Sequence, residues 1–435
     1  MREIGIALLG LGNVGLGSYR ILTEHVREIE RRLGARVNVR HVLVRDASRA
    51  RPGVTAPLTE SFEKILEDRE VSVVVELLGG ISPAREYLLR AIGSGRHVVT
   101  ANKALLALHG EELFGAALKA GVDLHFEGAV CGGIPIIRTL REALASDRIE
   151  SLFGIVNGTT NFILSAMSEG GASYQDALKQ AQALGFAEAD PTMDVTGMDA
   201  AQKLCLLSSL AFGARIQVSQ VSVEGITRLE PADFSTAKEF GYVLKLLAIA
   251  RRSPEGTLEA RVHPTFIPAG SALAEIRGAF NAVLVRSAAL GPSLFCGQGA
   301  GALPTGSAVV SDVIDLCRNL LAGVSGRLPM LSAPHLQDLP ILAIAEWRGA
   351  NYLRFHVSDE PGVLARIAQE LGERHVSIAS VLQRPRGKES SATVVVFTHV
   401  AREADVSAAV AAIDALPSTK APTHRIRIEE GPSLS

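Results

Sequence analysis

Apolar and polar positions change period several times along this 435-residue chain, and each change predicts a different kind of structure. In the first third, short apolar runs alternate with longer stretches of helical period. Residues 4–9 form a continuous apolar run of the kind that makes a strand covered on both faces. A helical pattern follows through Leu33 and stops at Gly34. Strands are expected again at 37–44, 71–78, 98–100 and 122–126, with helices over 83–92 and 105–120. Strands that alternate with helices in this way predict a doubly wound α/β domain.

The middle of the chain has a different rhythm. Residues 148–157 alternate as a strand, residues 158–161 cap a helix that runs to Met167, and residues 174–184 form another, ended by Gly185. An acidic loop follows, and then a helix that is almost wholly apolar after Lys203. Beyond it the pattern predicts a strand at 217–223, a helix over 232–251, and strands at 258–267, 282–287 and 293–296. This is an α+β substrate-binding and dimerisation segment, whose open sheet calls for cover from a second copy, in a homodimer or homotetramer. A glycine-rich loop then opens a helix to about residue 321, as expected of a chain crossing back to the first domain. After a proline-bearing linker come a strand at 352–357, a helix at 364–371, strands at 378–383 and 392–398, a helix at 406–415 and a strand at 425–428. The division expected is 1–147, completed by a helix at 304–322; then 148–303; a linker at 323–347; and a βαββαβ domain at 348–430.

Composition narrows the function classes. A net charge of −2 gives no basic excess to neutralise phosphates, which argues against nucleic acid. No apolar run reaches the roughly 18 residues that a membrane span needs. The four cysteines, Cys131, Cys205, Cys296 and Cys317, form no close pair, which fits a reduced, cytoplasmic protein without structural zinc.

Candidate chemistry begins where the first strand ends. Gly10, Leu11, Gly12, Asn13, Val14 and Gly15 spell GxGxxG between a strand and a helix. Glycines there allow a tight turn and close approach to a pyrophosphate, which the helix amino terminus receives. Arg45 ends the second strand, with Arg49 and Arg51 behind it, so a 2′-phosphate would be paired and NADP is favoured, with NAD still open. Lys103 follows the strand ending at Thr100 and should face the cofactor crevice, because ligands bind at the carboxyl ends of such strands. Glu127, with the glycines around it, offers a carboxylate and free carbonyls to a hard cation, though the same residues suit a tight loop. Cys131 lies near His125 and reads either as a nucleophile or as buried packing. The acidic loop sets Glu188, Asp190, Asp194 and Asp199 ahead of one cation, Lys203. Asp199 and Lys203 share a helix face, as a surface ion pair or as the mouth of a cleft where a desolvated lysine donates protons.

Taken together, GLGNVG at 10–15, TANK at 100–103, FEGAVCGGIPII at 126–137, NGTTNFIL at 157–164, LGFAEADPTMDVTGMDAAQKL at 184–204 and GQGAGALPTGSAVVSD at 297–312 resemble homoserine dehydrogenase. The resemblance implies NAD(P)-dependent interconversion of L-homoserine and L-aspartate 4-semialdehyde, within threonine, methionine and isoleucine biosynthesis. It also implies that Lys203 is the proton donor and that Glu188 and Asp199 hold the substrate. Lys103 would lie between substrate and cofactor, with Thr100, Gly185 and Gly301 on the cofactor side. Glu127, Val130, Gly132 and Ile134 would hold a monovalent cation, sodium in this family. The DxPGVL turn at 359–364 resembles an ACT domain, which implies an amino-acid effector, threonine in this setting, near Gly362. Two other readings make different demands. An acylating semialdehyde dehydrogenase would need Cys131 as a thiolate, and a nucleotide-sensing regulator would have no use for Lys103, Asp199 and Lys203 together.

Overall fold

The computed structural model describes residues 2–328, 331, 336–385 and 391–431. The chain divides into two compact units. One comprises Met1–Gly158, Asp199–Val221 and Ala279–Leu339, the other Thr159–Met198, Ser222–Gly278 and Pro340–Ser435.

The first unit is built on a parallel sheet of six strands, in the order Leu58–Thr59, Arg36–Leu43, Glu3–Leu9, Val71–Glu76, His97–Thr100, Leu124–His125. The order reverses direction between Glu3–Leu9 and Val71–Glu76, and a crevice for ligands opens outside the carboxyl ends of the strands at such a point. Ile6, Leu8, Val73, Val75 and Val99 form the core on one face of the sheet, together with Val309, Val310, Val313 and Leu316. The latter four belong to the helix Ala302–Ala322, so the returning helix belongs to this layer. The expected first helix is two, Asn13–Glu24 and Val26–Leu33, interrupted at His25. Antiparallel strands Gly291–Gln298, Phe280–Ser287 and Ile149–Ile155 complete the unit.

In the second unit the expected helix at 232–251 is not one element. Pro231–Glu239 is helical, Gly241 turns the chain at φ +77°, and Tyr242–Arg252 is a strand. It pairs antiparallel with Leu258–Pro268, and every residue from Leu244 to Ala250 is buried. Burial on both faces removes the period-two signal that would have marked a strand. The strand expected at 217–223 is interrupted by a helical turn, Val218–Gln220, and only Ser222–Val223 pairs as a strand.

The carboxyl-terminal strands and helices form the expected βαββαβ. Arg348–Ser358 lies between Thr419–Ile428 and Ser391–Thr398, and Ile378–Pro385 lies at the edge. Leu353, Phe355, Val357, Val394 and Val396 pack against Ile367, Leu371, Val406 and Ile413 of the helices Val363–Glu373 and Glu403–Asp414. Thr419–Ile428 also pairs in parallel with Leu258–Pro268, which joins the βαββαβ sheet to the strands before it. Ion pairs reinforce the joint: Arg354 meets Asp233 at 2.8 Å and Arg427 meets Glu224 at 2.8 Å.

Candidate active site

At the carboxyl end of the first strand, Gly10 adopts φ +98°, and a side chain there would meet the Leu77 carbonyl at 2.8 Å. A Cβ on Gly15 would fall 2.4 Å from the Gly10 carbonyl, so only glycine lets the helix approach the turn. Gly12 is different: nothing lies within 4 Å of a Cβ built on it. Its open face is where a pyrophosphate can approach, and the first turn of Asn13–Glu24 holds no acid to repel it. Leu11 and Val14 are half-buried beside the turn, and Asn13 is exposed at its tip. Gly17 and Gly306 bring the helix Ala302–Ala322 close, since a Cβ on Gly306 would lie 2.8 Å from the Gly17 backbone. Gly301, at φ +132°, caps that helix. These residues fit a dinucleotide. Arg45 is exposed beyond the second strand, while the Asp46 carboxylate accepts from the Ser48 amide at 2.9 Å and the Ser48 hydroxyl at 2.6 Å.

Three groups meet on one buried carboxylate. Asp199 accepts from the Lys203 ammonium at 2.8 Å and from the Asn157 amide at 2.8 Å on Oδ2, and lies 3.0 Å from the Lys103 ammonium through Oδ1. Lys203 also donates to the Val156 carbonyl at 2.7 Å. Asp199 is 5% exposed, so this is no surface ion pair. Burial pushes its carboxyl up, but the ammonium groups of Lys203 and Lys103 and the bonds from Lys203 and Asn157 outweigh burial. They hold it well below the usual carboxylate range.

Behind Lys103 lies a network that no sequence motif announced. The carboxylate of Glu76, the last residue of its strand, accepts from the Leu78 amide at 2.7 Å and the Thr100 hydroxyl at 2.6 Å. Thr100 in turn accepts the Asn102 amide, and the Asn102 side chain donates to the Gly80 carbonyl at 2.6 Å and caps Leu105. The only hint in the sequence was an acid ending an otherwise apolar strand.

The glycine loop after Glu127 is compact. Its carboxylate takes the amides of Ile137 and Arg138, both at 2.8 Å. Burial pushes the carboxyl up, against those hydrogen bonds and the nearby guanidinium groups. Asp312 accepts the Glu127 amide at 2.7 Å, and burial, with Glu127 beside it, pushes its carboxyl up to about 8. Gly132, at φ +44°, leaves no room for a side chain against the Gly299 carbonyl, 2.6 Å from where its Cβ would be. Ile134 follows, buried, and its carbonyl accepts the Ile136 amide at 2.8 Å. Val130 is fully buried. A buried carboxylate that accepts backbone amides, beside a second acid, fits a hard cation held with backbone carbonyls. Among the described residues no group of three or more His, Cys, Asp or Glu side chains could hold a metal ion by themselves. Cys131 is buried in this loop, and burial pushes its thiol up to about 11. A thiol in that state is inert as a nucleophile at neutral pH.

In the second unit, Gly185 ends the helix Tyr174–Ala183 at φ +76°, and Glu188 is exposed in the loop beyond. Asp190 caps the next turn by accepting the Thr192 amide at 3.1 Å, a structural bond. Gly362, at φ +88°, opens the helix Val363–Glu373, and a cavity of about 360 Å³ borders it, lined by residues 357–364 with Gln383 and Val394.

Comparison with known proteins agrees with this architecture. Residues 10–127 match the model of the NAD-binding domain of homoserine dehydrogenase, residues 135–314 that of homoserine dehydrogenase itself, and residues 351–418 that of the ACT domain. The chain is 43% identical over 433 residues to the homoserine dehydrogenase of Pseudomonas aeruginosa, covering 99% of this chain and 100% of the relative. It is 44% identical to that of Corynebacterium glutamicum, covering 98% and 96%. The crystal structure of a homoserine dehydrogenase from Thiobacillus denitrificans superposes with a TM-score of 0.93 at 46% identity, over 100% of this chain and 99% of that one. A hyperthermophilic archaeal homoserine dehydrogenase in complex with NADPH shares 27% identity and a TM-score of 0.61 over 72% of this chain and 97% of its own.

Fold and site therefore define a nicotinamide-dependent oxidoreductase acting on a CH–OH group and carrying a carboxyl-terminal ACT domain. The chain belongs to the homoserine dehydrogenase family. Among the described residues no helix is long and apolar enough to cross a membrane.

Proposed function

We propose that the chain reduces L-aspartate 4-semialdehyde to L-homoserine, reversibly and with NADP favoured over NAD, with Lys203 as proton donor, in threonine, methionine and isoleucine biosynthesis. The observation that carries this reading is the Asp199 carboxylate held between the Lys103 and Lys203 ammonium groups. Gly10–Gly15 and Gly301, with Thr100 and Gly185, would hold the cofactor, which would supply a hydride to the aldehyde carbon. Lys203 gives a proton to the aldehyde oxygen, and in the oxidative direction takes the hydroxyl proton back. Glu188 and Asp199 fix the substrate's α-ammonium group, for which Oδ1 of Asp199 retains capacity beyond its single contact with Lys103. Lys103, 36% exposed at its side chain, reaches toward both substrate and cofactor.

Arg45, free of the turn that occupies Asp46, supports the choice of NADP, as does the NADPH complex of the archaeal relative. Glu127, with the carbonyls of Val130, Gly132 and Ile134, would hold a monovalent cation, sodium in our reading. It orders the loop and takes no part in proton transfer. Residues 1–147 with the helix at 304–322 serve the cofactor, 148–303 the substrate and the dimer contact, and 348–430 regulation, joined through 323–347. The assembly is a homodimer or homotetramer in the cytoplasm, and threonine is the effector at the Gly362 cavity. A steady-state assay of homoserine oxidation with NADP and NAD, with and without millimolar threonine, tests these assignments. No oxidation with either cofactor refutes the activity, NAD preference refutes the Arg45 assignment, and indifference to threonine refutes the effector.

A further inference from the structure

Glu76 lies in the first unit at the point where the order of the parallel sheet reverses, with its Cα paired to Leu9 on one side and Thr100 on the other. Its side chain is fully buried. A buried carboxylate usually has an ammonium or guanidinium partner, because removal from water costs several kcal/mol. Among the described residues the donors to Glu76 are the amides of Leu78 and Gly79, the hydroxyl of Thr100 and the side-chain amide of Asn102, all uncharged. An apolar residue there would leave those donors without an acceptor, at a cost of about 1–3 kcal/mol each. The gain has to be sought in what the carboxylate holds.

It holds two walls. The loop at 77–80 leans on the dinucleotide turn through Leu77, whose carbonyl lies against Gly10. Gly79 and Gly80 both adopt left-handed backbone, φ +72° and φ +71°, with nothing within 4 Å of a built Cβ, so packing at these two positions does not fix the loop. Oε1 of Glu76 fixes it, by taking two successive amides. Oε2 takes the Thr100 hydroxyl, which accepts the Asn102 amide, and Asn102 closes the ring by donating to the Gly80 carbonyl. Lys103 follows Asn102 directly as the first residue of its helix. Its ammonium then meets Asp199 at 3.0 Å.

We infer that Glu76 is a positioning residue, which spans the crevice between the dinucleotide turn and the Lys103 helix and fixes Lys103 in register with Asp199. This rests on the reading that Lys103 serves substrate and cofactor. Misplacing a reacting group by about 1 Å costs on the order of 10²-fold in rate.

The test is a double-mutant cycle on the whole enzyme, using Glu76→Gln and Lys103→Ala. Glu76→Gln should lower kcat about tenfold or more with KM for homoserine changed less. The primary deuterium isotope effect on kcat, with homoserine deuterated at the reacting carbon, should rise while the unfolding midpoint stays put. In a Lys103→Ala background the same change should have little further effect, because what it positions is gone. Thr100→Val, which takes the hydroxyl away from Glu76, should lower kcat as Glu76→Gln does, which keeps the test alive if a change at 76 impairs folding. Losses that multiply in the cycle, or an unchanged kcat in Glu76→Gln, overturn the positioning role while Lys103→Ala still shows its own loss. A Lys103→Ala enzyme as fast as wild type overturns the role of Lys103 and this inference with it.

Discussion

Replacing Lys203 by Met separates its chemical from its structural contribution. Methionine keeps the length and apolar body of the side chain within the buried helix Met198–Phe212 and removes only the ammonium group. That group donates to the Val156 carbonyl at 2.7 Å and to Asp199 at 2.8 Å. Asp199 is not left bare, since Lys103 at 3.0 Å and Asn157 at 2.8 Å remain. The stability loss should therefore be that of a charged hydrogen bond, about 1.5–3 kcal/mol, rather than the roughly 3–5 kcal/mol of a stranded buried charge. Loss of a positioned general acid lowers rate by about 10²–10⁴-fold, or roughly 3–5 kcal/mol of barrier. The glycine turn is untouched, so NADPH affinity should hold. Single-turnover kinetics of NADPH oxidation with aspartate semialdehyde, fluorescence titration of NADPH and a urea unfolding curve give the three numbers. A rate within tenfold of wild type refutes the proton-donor role, and a loss of NADPH affinity equal to the loss of rate would show that the site had collapsed.

Other consequences follow from the same contacts. Asp199→Asn leaves two ammonium groups without their anion, and should cost about 3–5 kcal/mol at neutral pH. Because folding depresses the Asp199 carboxyl, its contribution is complete above the ordinary carboxylate range and fades as pH falls through the folded value. The urea midpoints of wild type and variant should therefore run parallel from pH 8 to about 5 and draw together below about 4; a gap that widens on acidification contradicts the assignment. Arg45→Ala should raise KM for NADPH by roughly 10–100-fold, the worth of one charge-assisted hydrogen bond, and leave KM for NADH alone. Cys131→Ser should retain near-normal kcat, and iodoacetamide at pH 7 should not inactivate the wild type through this thiol, which burial keeps protonated.

Legibility in the sequence depended on how local each constraint was. The dinucleotide strand, turn and helix follow one another within residues 3–24, so the change from apolar run to glycine motif to helical period could be read directly. Lys203 and Asp199 share one helix face, and their pairing followed from spacing alone. The segment at 232–251 misled because residues 244–250 are buried on both faces and carry no alternation; the informative residue was Gly241, whose φ of +77° ends the helix. Whether Lys103 reaches Asp199, and whether Glu76 reaches Thr100, depends on strands and helices far apart in the chain. Spacing carries no trace of such contacts. Asn157 stood within a quoted motif, yet its bond to Asp199 was equally invisible.

The two lysines on Asp199 bear on the chemistry in a way that neither does alone. In the proposed reaction Lys203 loses a proton as the aldehyde oxygen gains one. With Lys203 as its only protein cation, the buried carboxylate would then be left with the substrate's ammonium group alone, and the cost of an under-compensated anion in a low-dielectric site would be added to the barrier. Lys103 contacts the other oxygen of the same carboxylate, so Asp199 stays compensated through the transfer. Homoserine oxidation makes the reverse demand, since a neutral Lys203 must exist before the hydroxyl proton arrives. It requires that Lys103 be in place at that moment, which is why its backbone is tied through Asn102 and Thr100 to Glu76 rather than left to the exposed start of a helix.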